Sequence, residues 1–160
     1  MVRLSKLTDY GLVLMSRLAQ IPSPSYRTAR DLSLELQLPL PTVSKLLKEL
    51  LQSGLLVSHR GIHGGYSLAR EPREIGLAEI ITALEGPIAL TECSTDVTGL
   101  CQLETCCSIR KNQQIISQAV RGVLEKLTLS DLIRPLMLTA VRDVGGNFVP
   151  TVGVLPGRMQ

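Results

Sequence analysis

TARDLSLELQLPLPTVSKLLKELLQSG, residues 28–54, is the stretch that decides the fold. Thr28 stands three residues before Asp31, the capping-box spacing with Asp in place of Glu, so a helix is expected from Ala29. Ala29, Leu32 and Leu36 share one face of it, and the run stops before Pro39. Pro41 serves as the first residue of the next helix, where a missing N–H costs nothing. That helix runs through Thr42 to Ser53 and stops at Gly54, a favoured residue just past a C-terminus. Val43, Leu46, Leu47 and Leu50 face inward. Thr42, Lys45, Glu49 and Gln52 fall on the opposite side, with Ser44 and Lys48 beside them. Two short helices across Leu38-Pro39-Leu40 fit a helix-turn-helix whose joint is built of proline rather than glycine.

Upstream, Leu7, Tyr10, Leu14 and Leu18 mark an amphipathic helix to Ala19, and Pro22 and Pro24 place a loop after it. Downstream, Leu55 to Ser58, a glycine-containing turn over residues 59–65 and Tyr66-Ser67-Leu68 read as a β-hairpin. Leu77 to Glu85 reads as a helix closed by Gly86-Pro87. Residues 91–108 have no period and hold all four cysteines. Ile109, Ile116, Val120, Val123 and Leu127 then form the stripe of a long helix from about Ser108, and that stripe needs a partner surface. A short helix around Ser130–Leu138 is expected next. The tail, with Gly145, Gly146, Gly153, Gly157, Pro150 and Pro156, reads as flexible.

The expected fold is therefore mainly α with a small β-hairpin wing: a winged helix-turn-helix plus a long dimerisation helix. Its parts are a winged-helix domain over 1–86, a cysteine-rich loop over 87–107, the dimerisation helix and a short helix over 108–140, and a flexible tail over 141–160. Composition agrees. The 160 residues include 29 leucines against one Phe, three Tyr and no Trp, which suits helices better than a β-sandwich. No apolar run approaches the roughly 18 residues of a spanning helix, so no membrane partner is expected. Polar Thr8-Asp9 interrupts the N-terminus before a signal-peptide core can form, and a soluble cytoplasmic protein is expected.

Net charge is +3, and its distribution is informative. Residues 1–80 hold ten Lys/Arg and seven Asp/Glu, whereas residues 81–160 hold seven of each. The whole excess lies with the helix-turn-helix, where it favours an anionic partner. Short polar side chains at the start of the third helix can reach base edges in a major groove, which places Pro41, Thr42, Ser44 and Lys45 at a duplex. Lys48 and Arg27 or Arg30 suit phosphates, and Arg60 at the hairpin tip suits an adjacent minor groove. Gly64 and Gly65 would let the backbone approach DNA closely, and His59 and His63 read as solvent-exposed or phosphate-contacting residues of the tip. Taken singly, an exposed Ser/Thr/Lys face is only a solvated face, and a glycine turn only a turn. Their conjunction carries the reading. No nucleophile–base pair or phosphate loop is present, and both histidines lie in the hairpin, so an enzyme is not expected.

Cys93, Cys101, Cys106 and Cys107 are separated by seven, four and no residues. This is not the paired C-x-x-C spacing of structural zinc sites, and without secretion a disulfide framework is not expected. Soft thiolates spread over a flexible loop can wrap an iron–sulfur cluster. Redox-active thiols, zinc and inert cysteines stay open as alternatives.

Leu4-Ser5-Lys6-Leu7-Thr8-Asp9-Tyr10-Gly11, Ser58-His59-Arg60-Gly61 with Gly64-Gly65-Tyr66, and the spaced cysteines together resemble the IscR-type iron–sulfur-responsive winged-helix repressors of bacteria. Residues 42–48 and 83–90 look most like the branch that regulates SUF-system cluster assembly. The resemblance covers roughly residues 1–135. It implies a homodimer joined through the post-cysteine helix, a double-stranded, pseudo-palindromic DNA operator, control of cluster-assembly genes, and a 2Fe–2S or 4Fe–4S cluster on Cys93, Cys101 and Cys107. Cys106 is an extra thiol that could replace Cys107. Some relatives use a histidine three residues after the third cysteine, where this chain has Arg110. Others use an acidic residue from the first helix of the other subunit, for which Asp9 is the candidate, with Glu104 and Cys106 as weaker ones. A winged-helix thiol regulator without a cluster and a cluster-assembly interaction protein without DNA binding are the rival readings.

Overall fold

The computed structural model describes residues 4–22, 25–61, 64–94, 100–102, 106–142, 145 and 148–154, excepting the side chains at 93, 140, 142, 148–150 and 154. Three helices, α1 (Lys6–Ala19), α2 (Ala29–Leu36) and α3 (Leu40–Gln52), lead into an antiparallel hairpin of β1 (Leu56–His59) and β2 (Gly65–Leu68). Then come α4 (Leu77–Glu85), the long α5 (Arg110–Glu125), the single-turn α6 (Leu129–Leu132) and a second hairpin of β3 (Leu136–Arg142) and β4 (Phe148–Val154). Leu14, Met15, Leu32, Val43, Leu46, Leu47, Leu50, Leu55 and Ile80 are fully buried in one core beneath the helix-turn-helix. The winged-helix arrangement read from the sequence is what the chain forms.

Local chemistry explains the boundaries. α2 starts on a complete capping box: the Asp31 N–H donates to Thr28 Oγ1 at 3.1 Å, and the Thr28 N–H donates to Asp31 Oδ2 at 3.0 Å. It ends on Gln37, whose φ of 54° is left-handed and is the only such non-glycine value among the described residues. Ser33 Oγ donates to the Leu38 carbonyl at 2.7 Å and holds this joint, so a side chain does what glycine does in other turns. α3 begins at Leu40, making Pro41 the second helical residue rather than the first. Gly54 follows it with φ of 76°, as its place after a helix end requires.

The segment after α5 returns to the first unit. The Leu77 N–H donates to the Leu127 carbonyl and the Leu129 N–H to the Ile75 carbonyl, each at 2.8 Å, and Leu129 is fully buried in the core. α6 is fixed there by a second capping box, Thr128 with Asp131.

The reading of 130–138 as helix and of the region beyond 141 as flexible is corrected. α6 stops at Leu132 because Pro135 disfavours a helical residue before it. Residues 136–142 then pair antiparallel with 148–154, from Leu136 opposite Val154 to Arg142 opposite Phe148. Thr139 and Thr151 face each other with hydroxyls 3.2 Å apart, the kind of cross-strand pair that holds a hairpin in register. Gly145 and Gly146 fall between these strands in the sequence, and residues 155–160 lie outside the described residues.

Candidate nucleic-acid interface and cysteine loop

α3 presents its two faces as its pattern requires. Val43, Leu46, Leu47 and Leu50 are sealed in the core, while Pro41, Ser44, Lys45 and Lys48 are exposed and Thr42 is half-buried. The Lys45 ammonium lies 3.8 Å from Glu49 Oε1, one turn on, so its charge is partly committed along its own helix. Arg30 on the first turn of α2 and Arg60 beyond β1 are exposed.

The wing differs in detail from the expectation. His59 is half-buried rather than free at a tip: its ring lies 4.0 Å from that of Tyr26, and Nε2 is 3.2 Å from Ser67 Oγ. A Cβ on Gly65 would lie 2.7 Å from the Arg27 carbonyl oxygen, and one on Gly64 2.2 Å from that of His59. Both glycines are thus required by the protein's own backbone, whatever they also permit toward DNA. His63 lies outside the described residues.

Arg27 is not available for phosphate in this arrangement. Its Nε donates to Glu35 Oε1 at 3.0 Å and its Nη1 to the Tyr26 carbonyl at 3.1 Å. Its backbone pairs with Tyr66 in both directions, at 3.1 and 2.8 Å, so residue 27 extends the wing by one strand position. Glu35, which the sequence pattern did not single out, also accepts from Arg17 Nε at 2.6 Å. Those guanidiniums, Arg17 foremost, hold its carboxyl below the usual range, and the Thr28 hydroxyl and N–H do the same for Asp31. No hydrophobic periodicity reports such a clasp.

On the cysteine side, Gly86 ends α4, and Glu85 just before it accepts from the Ser5 N–H and from Thr8 Oγ1 at 2.8 Å, tying α4 to the start of α1. The Leu90 N–H donates to Ser117 Oγ at 3.1 Å, and Ser117 is the one buried side chain of α5. Cys101 and Cys107 are half-buried and Cys106 is exposed; all three are thiols rather than disulfides. Cys93 lies in the turn Glu92–Ser94, its side chain and all of Glu104 being outside the described atoms. Among the described residues no three His, Cys, Asp or Glu side chains gather at one point. Asp9 is exposed and lines a groove of about 690 Å³ with Tyr10, Val13, Leu36 and Leu132, which none of the cysteines line. Soft thiols have the chemistry to hold iron, but within one chain the structure brings together neither Asp9 nor the full cysteine set.

Comparison with known proteins decides the family. The profile described as "Rrf2: Iron-dependent Transcriptional regulator" matches residues 4–135. The chain belongs to the Rrf2 family. It is 30% identical over 132 residues to an HTH-type transcriptional regulator NsrR of Shouchella clausii, covering 82% of this chain and 89% of that protein. Among solved structures it resembles CymR (YrzC), the global cysteine regulator of B. subtilis, with 32% identity, a TM-score of 0.67, and coverage of 83% of this chain and 97% of that one. It also resembles T. potens IscR, with 29% identity, a TM-score of 0.63, and coverage of 82% and 86%. This Rrf2 protein is a DNA-binding transcriptional regulator and not an enzyme. No helix among its described residues is long and apolar enough to cross a membrane. β3 and β4 lie beyond the matched residues.

Proposed function

We propose that this Rrf2 protein acts as a homodimer on a pseudo-palindromic operator, senses iron–sulfur cluster status, and represses cluster-assembly genes as regulators of the SUF branch do. Supporting the DNA half are the exposed Ser44, Lys45 and Lys48 of α3 and Arg60 of the wing, with Thr42 and Pro41 at the helix entry. Lys45 and Ser44 face base edges, while Lys48, Arg30 and Arg60 meet the backbone or minor groove. Lys45→Ala and Arg60→Ala each weaken operator binding, and unchanged affinity and specificity in both would overturn this assignment.

The observation that carries the sensing half is the pair of half-buried thiols, Cys101 and Cys107, in the loop that leads into α5. With Cys93 they supply three thiolates, which suit an iron–sulfur cluster. Such a cluster, when bound, contributes sensitivity to iron supply and oxidants. Asp9 from a second copy completes the ligand set, since its own chain keeps it from the thiols described. Cys101 and Cys107 fix the loop and Ser117 ties its root to α5, so loop order and dimer geometry change together. The test is an anaerobic preparation with its ultraviolet–visible spectrum, iron and acid-labile sulfide measured on one sample. Charge-transfer bands with iron and sulfide in proportion are expected. A colourless, iron-free protein after reconstitution overturns the sensing half.

The exposed Cys106 beside Cys107, and the likeness to a cysteine regulator, favour one second reading: a thiol regulator without iron. In that case operator affinity follows reversible oxidation of these thiols in the iron-free protein.

A further inference from the structure

One carboxylate holds two guanidiniums from two different elements. Glu35 Oε2 accepts from Arg17 of α1 at 2.6 Å, and Oε1 accepts from Arg27 at 3.0 Å. Glu35 sits in the last turn of α2, where the helix dipole opposes a negative charge and no basic residue of α2 offsets it. The two arginines supply that compensation. Arg27 is more than a counter-ion, because its backbone is paired with Tyr66 of the wing and packed against Gly65. The clasp therefore joins α1, α2 and the base of the wing, next to the surface that meets DNA.

We propose that Glu35 is a specificity-determining positioning residue: it holds Arg27 away from the phosphate backbone and sets the wing against the helix-turn-helix. A free arginine at the wing base would add a sequence-independent phosphate contact, strengthening binding to any duplex and so lowering discrimination. The lowered pKa of Glu35 keeps the clasp charged at neutral pH. These side chains are partly solvated, so the clasp acts mainly through where Arg27 points rather than through stability. The inference rests on the DNA-binding half of the proposed function and is independent of the cysteine loop.

The test titrates the full chain with KCl on a labelled random-sequence duplex and reads the slope of log affinity against log salt. Glu35→Gln steepens that slope by about 0.9, the value for one added phosphate contact. The double variant Glu35→Gln/Arg27→Gln returns it to the parent value, and Glu35→Asp stays near the parent. Arg27→Gln alone leaves the slope unchanged, because Arg27 is already withheld. This single variant keeps the test decisive if Glu35→Gln fails to fold. An unchanged slope in Glu35→Gln, a steepened slope that Arg27→Gln does not reverse, or a slope flattened by Arg27→Gln alone each overturns the inference. Absence of duplex binding by every form, parent included, overturns the DNA reading itself and this inference with it.

Discussion

α3 and α5 carry the same kind of pattern, apolar residues every three or four positions, yet they bury opposite faces. In α3 the apolar row from Val43 to Leu50 is fully enclosed and the polar row is outside. In α5 the apolar row is outside: Ile115 is 64% exposed, Ile116 50% and Val123 46%, while the one buried side chain is a serine. A helix whose inward face is sealed has found its packing within one chain. A helix that shows aliphatic side chains to water and spends its buried position on a hydrogen bond to Leu90 has not. The first helix belongs to a unit complete in itself, and the second to an assembly of two.

Two substitutions separate these cases most sharply. Leu46→Ala removes a fully enclosed side chain and is expected to cost about 2–5 kcal/mol in urea-induced unfolding. Ile116→Glu should leave the unfolding of the winged-helix unit nearly unchanged and instead weaken self-association by roughly 2 kcal/mol, about thirtyfold, in sedimentation equilibrium. If Ile116→Glu unfolds the chain without changing its association, α5 is packed within one copy and the contrast fails.

A smaller test concerns the joint between α2 and α3. Gln37 occupies a left-handed conformation that favours glycine, and the conformational strain there is only partly offset by the Ser33 bond to Leu38. Gln37→Gly relieves that strain but loosens the unfolded chain, so a net gain of about 0.5 kcal/mol is expected in thermal melts. A loss instead would mean that the Gln37 side chain contributes to the joint.

The same contrast explains what could be read beforehand. The helices of the first unit were legible because burial there follows hydrophobic period, and the Thr28 box and Gly54 mark their ends by local rules. The α5 stripe was legible as a surface in need of a partner. What escaped were contacts made between distant polar groups: Glu35 with two arginines, Glu85 with Ser5 and Thr8, and Ser117 with Leu90. None of these has a period. The wing glycines were located but given only one role, because the approach of the Arg27 backbone to Gly65 is a tertiary fact. The second hairpin escaped for a different reason: glycines and prolines drew attention from the alternation of Leu136, Leu138 and Val141 with Met137 and Thr139. Pro135, which ends the preceding helix, was passed over.

The smallest effect lies at the seam between the two regions. Glu85 is the last residue of α4, directly before the Gly86-Pro87 step into the cysteine loop, and it caps the start of α1 through Ser5 and Thr8. The Ser5 N–H, then the Thr8 hydroxyl, hold its carboxyl below its ordinary value of 4.5. A carboxyl depressed in the folded state stabilises above its unfolded pKa, and that contribution disappears as pH falls through the folded value. Glu85→Gln is therefore expected to be less stable than the parent at neutral pH, by under about 1 kcal/mol because the group is exposed to solvent. The difference should shrink below about pH 4.5 and vanish at lower pH, where the parent has also lost the charge. Hydrogen exchange can localise the change: acid should free the first turn of α1 before it frees α3. A uniform loss of protection across both helices would show that the seam has no independence, and that one cooperative unit spans the winged helix and the root of the cysteine loop.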